Sequence, residues 1–355
     1  MDVNGFLLPF SGLMAGTLLG YFARRNFFCT LSSLEQYWFA NNSTGVRSWV
    51  LATALALAFT QILSGLGVVD VSRSFYLTPT FGWLGAIVGG FCFGVGMALV
   101  GTCGFGALVR LGSGSLKSLI AVLIIGLTAL STQRGLLGNL RVGFFDRFIL
   151  DLTFANSQSI PSLIESVTGI DFTIAITVVL VSGALWWVFS DKEFRQRTSL
   201  IITAAVIAFV VTFGWLVTSN VARTSFDPVQ IESASFVMPL GDIILQFAAF
   251  TGAGPDYGIG LMFGTIIGAA IAARSTDDIR WEACDDAREL SRHILGAILM
   301  GFGGVLALGC TIGQGISAAS LLAASVPVSM ISIVFGARLG LAWLVEGSVM
   351  HAFRR

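Results

Sequence analysis

Residues 94–119 read GVGMALVGTCGFGALVRLGSGSLKSL, and residues 296–323 read GAILMGFGGVLALGCTIGQGISAASLLA. A shift of 207 positions lays Gly89, Gly94, Gly96, Cys103 and Gly106 on Gly296, Gly301, Gly303, Cys310 and Gly313, so one glycine and cysteine frame is written twice. Its core, Gly-x3-Gly-x8-Cys, also appears as Gly16, Gly20 and Cys29 beside Gly90, Gly94 and Cys103, and with Ala297 for the first glycine as Gly301 and Cys310. A fourth copy shares GLM-x-GT-x-x-G between 12–20 and 260–268, with Asp277 where its cysteine would fall. These coincidences point to duplication. The first two units run in the same direction and the last two in opposite directions, so the sequence leaves the symmetry axis open.

The rest of the composition says where such units can exist. Of 355 residues 55% are hydrophobic and only 11% charged, against roughly 25% in a soluble domain, so charge cannot cover the surface. The chain reads as an all-α polytopic membrane protein. Net charge is zero and the only lysines are Lys117 and Lys192, which leaves no basic stripe for nucleic acid. Charge-free stretches at 3–23, 49–69, 74–109, 118–133, 172–190, 198–222, 257–273 and 293–337 locate the spans, because a bilayer core takes about 20 apolar residues. Two of these runs exceed one span and are broken by glycine, which predicts a full helix followed by a re-entrant half-helix. About eight or nine crossings result, in one transporter domain over 1–355, with repeat-like halves 1–135 and 198–350 joined by 136–197. Residues 3–23 read as the first membrane helix and not a secretion signal, since Asp2 precedes them and no small-residue cleavage pattern follows. Phe144, Phe145, Phe148, Ile149 and Leu152 lie at helical spacing, which predicts a helix along the interface or packed in the bundle.

Arginine placement predicts orientation. Arg24, Arg25 and Arg47 mark one loop and Lys192, Arg195 and Arg197 another, with four crossings between, so both loops fall on one side, the cytoplasmic one. The loop 220–238, with Arg223 against Asp227 and Glu232, then lies outside, as does the N-terminus.

The stretches GTCGFG at 101–106 and LGCTIGQG at 308–315 follow apolar helices. A helix restarting there aims free N–H groups and its positive end at the cysteine, with Gly101, Gly104, Gly106, Gly309 and Gly313 permitting the turns. Broken backbone inside lipid is tolerated where it lines a protected cavity, which points to a pathway; close packing through small residues is the plainer alternative. Cys29, Cys103 and Cys310 recur at equivalent positions and are the expected path residues, whereas Cys92, between Phe91 and Phe93, and Cys284, in a charged loop, have no repeat partner. No C-x-x-C pair occurs, and three cysteines without nearby histidines make a poor zinc site, so no metal, cofactor or enzymatic role is expected. A thiol is soft and a weak donor, suited to a sulfur-bearing anion, and weak sites in series favour conduction. Arg110 and Lys117, with Arg24 and Arg25, lie near the cysteine units and either attract anions or anchor the loops. Asp70, Asp242 and Asp256 read as interfacial.

At RRNFFCTLS (24–32), GVGMALVGTCGFGALVRLGSGSLKSL (94–119) and LGCTIGQGISAASLLA (308–323) the chain resembles the YeeE/YedE family of sulfur-compound transporters, over nearly its whole length. The resemblance implies a compact helical fold with re-entrant helices in the bacterial cytoplasmic membrane. It also implies a narrow path on which Cys29, Cys103 and Cys310 pass thiosulfate along by S–H···S contacts, with a cytoplasmic sulfurtransferase as a possible receiver. Leu31, Ser32 and Ser33 replace the glycine-rich stretch that often follows the first cysteine, which keeps other sulfur and selenium species open as substrates. Two other readings use the same residues: a thiol oxidoreductase or sulfur relay carrying persulfide or disulfide, and a membrane scaffold for a soluble sulfurtransferase.

Overall fold

The computed structural model describes residues 3–225, 228–249, 255–279, 281–284 and 286–347. Asp2, Asp227 and positions 348–350 of the second repeat-like half lie outside the described residues. Helix α1 (Val3–Arg25) leads through Cys29 into the short α2 (Thr30–Phe39) and the long α3 (Thr44–Gly65). Helix α4 (Trp83–Val100) leads through Cys103 into the short α5 (Gly104–Gly112) and then α6 (Leu116–Arg134). The middle of the chain holds α7 (Leu136–Gly143), α8 (Ile160–Thr168), α9 (Thr173–Phe189) and α10 (Lys192–Gln196). After α11 (Thr198–Thr224), α12 (Met238–Ala248) and α13 (Tyr257–Ser275), α14 (Ala287–Leu306) leads through Cys310 into a helical segment containing the π-helical turn Gly313–Ala318. Helix α15 (Ser325–Glu346) is the last described. Both long apolar runs therefore break into a full helix and a half-helix, as their glycines predicted.

Among the described residues seven segments are long and apolar enough to cross a membrane: α1 with α2, α3, α4 with α5, α6, α11, α13 and α15. Helix α14, with 20 residues but charged first turns, and the 17-residue apolar α9 fall outside that set, so seven such segments stand beside the eight or nine crossings expected. Arg47 joins the two basic loops directly, since its Nε lies 3.4 Å from Asp191 and its guanidinium sits 4.5 Å above the Trp187 ring. Both loops are on one side.

The repeat is visible in how helices meet. On α1 and α13, methyls added at Gly12, Gly16 and Gly20 would lie 2.2, 2.2 and 2.1 Å from the carbonyl oxygens of Tyr257, Leu261 and Thr265. Methyls at Gly260, Gly264 and Gly268 would lie 2.0, 2.2 and 2.0 Å from those of Pro9, Leu13 and Thr17, the equivalent positions. Two parallel helices thus meet along one self-complementary glycine seam. Helices α4 and α14 repeat the device running antiparallel: Gly89 abuts Gly303 and Gly96 abuts Gly296, again exchanging equivalent residues. These contacts are compatible with the directions read from the sequence, since one equivalent pair runs parallel and the other antiparallel.

The helix expected across Phe144–Leu152 does not form. Two 3-10 turns, Phe145–Arg147 and Thr153–Ala155, flank the two-residue strand β2 (Leu150–Asp151), which pairs with β1 (Thr80–Phe81). The aromatic rings point in several directions, Phe145 against Phe302 and Phe148 against Trp83, which a single helical face cannot achieve. Further along, Ile160 donates its N–H to the Leu322 carbonyl and Ala324 donates to that of Gln158, stitching this connection to the end of the segment that follows Cys310.

Candidate anion path

Each thiol sits at one corner of the same design. Phe27, Gly101 and Leu308, each two residues before a cysteine, adopt left-handed backbone with φ of 50°, 76° and 57°. Such a residue ends a helix cheaply when it is glycine; at Phe27 and Leu308 it stores strain, of order 1–3 kcal/mol each, which the surrounding packing must hold. Phe28 donates to the Ala23 carbonyl and Gly309 to that of Gly304, closing the same six-residue loop. The chain then re-enters a helix directly after Cys29, Cys103 and Cys310. Cys103 Sγ accepts the Gly106 N–H at 3.3 Å and Cys310 Sγ accepts that of Gly313 at 3.4 Å, the equivalent residue, while the Ser32 amide faces Cys29. Cys103 and Cys310 therefore cap their helices through sulfur, and Cys29 occupies the same N-cap position without that bond, all three in the field of a helix positive end.

The fourth unit corrects the sequence frame. Asp277 takes the left-handed position (φ 49°) and Asp278 donates its N–H to the Ala273 carbonyl, so Asp277 matches Phe27 and not Cys29. α13 runs two residues further than α1 in this frame, which puts exposed Ile279 at the thiol position.

The three corners converge. Cys29 Sγ lies 3.7 Å from the Thr102 hydroxyl, its side chain adjoins Cys103, and Thr30 donates to Thr311 at 3.2 Å. Cys103 in turn lies within electrostatic range of Cys310. Cys103 and Cys310 are buried, whereas Cys29 is half-buried and borders a cavity of about 580 Å³. Its walls carry Arg24, Arg110, Lys117, Asp278 and Glu282. Arg24 pairs with Asp278 at 2.7 Å, and Lys117 is shared between Glu282 at 3.5 Å and Glu289 at 3.7 Å. Arg110 is exposed and makes no ion pair among the described residues. Of the expected attracting cations, Arg110 is the one left facing the cavity with its charge unspent. Gly106 lines this cavity too, and Gly104 adjoins Phe236 and Val237. Cys92, on α4, and Cys284 border none of this.

One element was missed by reading the sequence. Residues 231–237, an irregular stretch after α11, are all buried and touch both the Cys103 and Cys310 corners, Val237 beside Gly104 and Ser235 beside Gly313. The Phe236 ring packs 4.7 Å from Phe105, its amide faces Cys310, and Ser317 donates to the Ala234 carbonyl at 2.7 Å. Nothing periodic marks ESASFV as a central element, although charge-free composition after Glu232 is compatible with burial. The three aspartates have structural work. Asp256 caps α13 through the Ile259 N–H at 2.9 Å, and Asp242 pairs with Arg134 at 3.5 Å. Asp70 accepts from the Ser72 amide and hydroxyl, which hold its carboxyl below the usual carboxylate range. No cluster of potential metal ligands occurs among the described residues.

Long apolar helices interrupted by re-entrant half-helices are the build of a multi-pass transporter, and the chain belongs to the sulphur transport family, whose pattern it matches over residues 25–339. It is similar to the thiosulfate transporter TsuA of Escherichia coli (strain K12), 23% identical across 96% of this chain and 95% of that one. It is also similar to the thiosulfate transporter TsuA of Spirochaeta thermophila (strain ATCC 700085 / DSM 6578 / Z-1203), 26% identical across 94% and 98%.

Proposed function

We propose that the protein takes up thiosulfate through the cytoplasmic membrane, passing it between Cys29, Cys103 and Cys310 by noncovalent S–H···S contacts. The observation that carries this reading is the row itself: three neighbouring thiols at helix N-termini, leading from a cation-bearing cavity into the buried centre. Helix ends and Arg110 favour an anion, and soft donors in series hold a sulfur-bearing one without trapping it. The relatives named as thiosulfate transporters support the same substrate. The basic loops support a cytoplasmic side for the cavity and an outside N-terminus, which would make the cavity the exit from which a sulfurtransferase could take the anion.

Liposomes containing only this chain test the proposal: saturable uptake of labelled thiosulfate is expected, and absence of uptake overturns it. The intact mass of the protein stays unchanged after turnover; a substrate-dependent gain of one sulfur would replace the conduit by a covalent relay. For orientation, reporters fused within 191–198 and 225–232 report from inside and outside respectively, and both reporting from one side overturns that assignment.

A further inference from the structure

Two buried hydroxyls beside Cys310 have no role in the scheme so far. Tyr76 is 1% exposed and Ser235 is 4% exposed. Tyr76 Oη and Ser235 Oγ lie within reach of each other, and neither has a further partner among the described residues, so at least one of the two protons stays unshared. Both aim at the Cys310 corner: a methyl added at Gly313 would sit 2.9 Å from Tyr76 Oη and 3.1 Å from Ser235 Oγ, and one at Gly309 would sit 3.2 Å from Tyr76 Oη. The amides of Ile312, Gly313 and Phe236 face the Cys310 sulfur from the same surroundings. Leaving a buried hydroxyl proton without a partner is costly, and two hydroxyls converging on one corner with a proton unshared call for a ligand that accepts it.

We infer that Tyr76 and Ser235 form an oxygen-binding subsite, holding the oxygens of a tetrahedral sulfur oxyanion while its terminal sulfur meets Cys310. The inference rests on the transport reading and deepens it. A thiol by itself recognises only the soft end of such an anion. Two hydroxyls at fixed distance add the hard end, and hydrogen bonds from neutral donors to a charged acceptor are stronger than neutral pairs. The backbone favours the arrangement: Tyr76 rests on Phe75, ring centroids 4.0 Å apart, and meets Trp215 edge-on, so its hydroxyl is fixed in direction. Ser235 belongs to the irregular central stretch, where the neighbouring Ala234 carbonyl is anchored by Ser317.

The test is thiosulfate uptake by liposomes carrying wild type, Tyr76→Phe, Ser235→Ala or the double variant, with folded protein normalised by elution as a single species in detergent. Each single variant is expected to raise the half-saturation concentration roughly tenfold while retaining the maximal rate, and the double variant to raise it further. Unchanged half-saturation in both single variants, alongside active wild type, overturns the subsite and leaves the thiol path standing. A fall in maximal rate with half-saturation unchanged also overturns it, since that is the mark of a packing role. If Tyr76→Phe fails to fold, Ser235→Ala decides by the same criterion. Inactive wild type removes both readings.

Discussion

At the Cys29 end of the thiol row, a cavity of about 580 Å³ opens beside Arg24, Arg110 and Lys117, two of them already paired with carboxylates. At the Cys310 end the thiol is sealed, and its surroundings are neutral donors: the amides of Ile312, Gly313 and Phe236 and the hydroxyls of Tyr76 and Ser235. Charge acts over about 8–10 Å at physiological salt and does not distinguish one anion from another. Short-range donors at fixed positions do. The contrast separates an end where charge meets the anion at a wide mouth from an end that sorts anions by fixed donors, joined by Cys103.

The comparison breaks most completely at the shared element. Alanine at Cys103 or Cys310 is expected to lower thiosulfate uptake at least tenfold without loss of folded protein, with Cys29 close behind, whereas Cys92→Ala and Cys284→Ala stay within about twofold of wild type. Equal activity in all five variants, measured in liposomes, would end the thiol-path reading. A sharper version uses Cys310→Ser, which keeps a donor but loses the polarizable sulfur. Its thiosulfate flux should fall severalfold and its preference over sulfate should disappear in competition assays, because a hydroxyl holds oxyanions at least as well as a thiol. Unchanged discrimination would assign selectivity to the oxygen donors alone. The smallest effect belongs to the charged end. Arg110→Gln should slow uptake about threefold at low ionic strength and have no effect near ~0.5 M salt, where exposed charge is screened. A deficit that persists in high salt would mean that Arg110 contacts the anion directly.

The Cys103 and Cys310 corners were legible because helix breaks leave a local signature, glycine at 101 and 309, a cysteine at N-cap position and a glycine three residues on, while Cys29, followed by Ser32, was reached through the repeat spacing alone. The same local logic misplaced the fourth unit, since nothing in GLMFGTIIG announces that α13 continues to Ser275 before turning. It also failed at Phe144–Leu152, where periodicity suggested a helix but rings are drawn toward Trp83 and Phe302 by tertiary packing. Tyr76 and residues 231–237 were illegible for a related reason. Their importance comes from meeting Cys310 across long sequence separations, and neither carries a period or a motif. Lys117 looked like a free attracting charge, and only the fold brings Glu282 and Glu289 to it.

The left-handed corner at Asp277 has a consequence for how the four units work together. Four equal corners would offer four equivalent thiols with no preferred starting point. Here the fourth turns identically but presents Ile279 at the thiol position, and its Asp278 holds Arg24 at the rim of the cavity. Only three of the four corners then carry a thiol, and a structure assembled from near-identical parts acquires a heading.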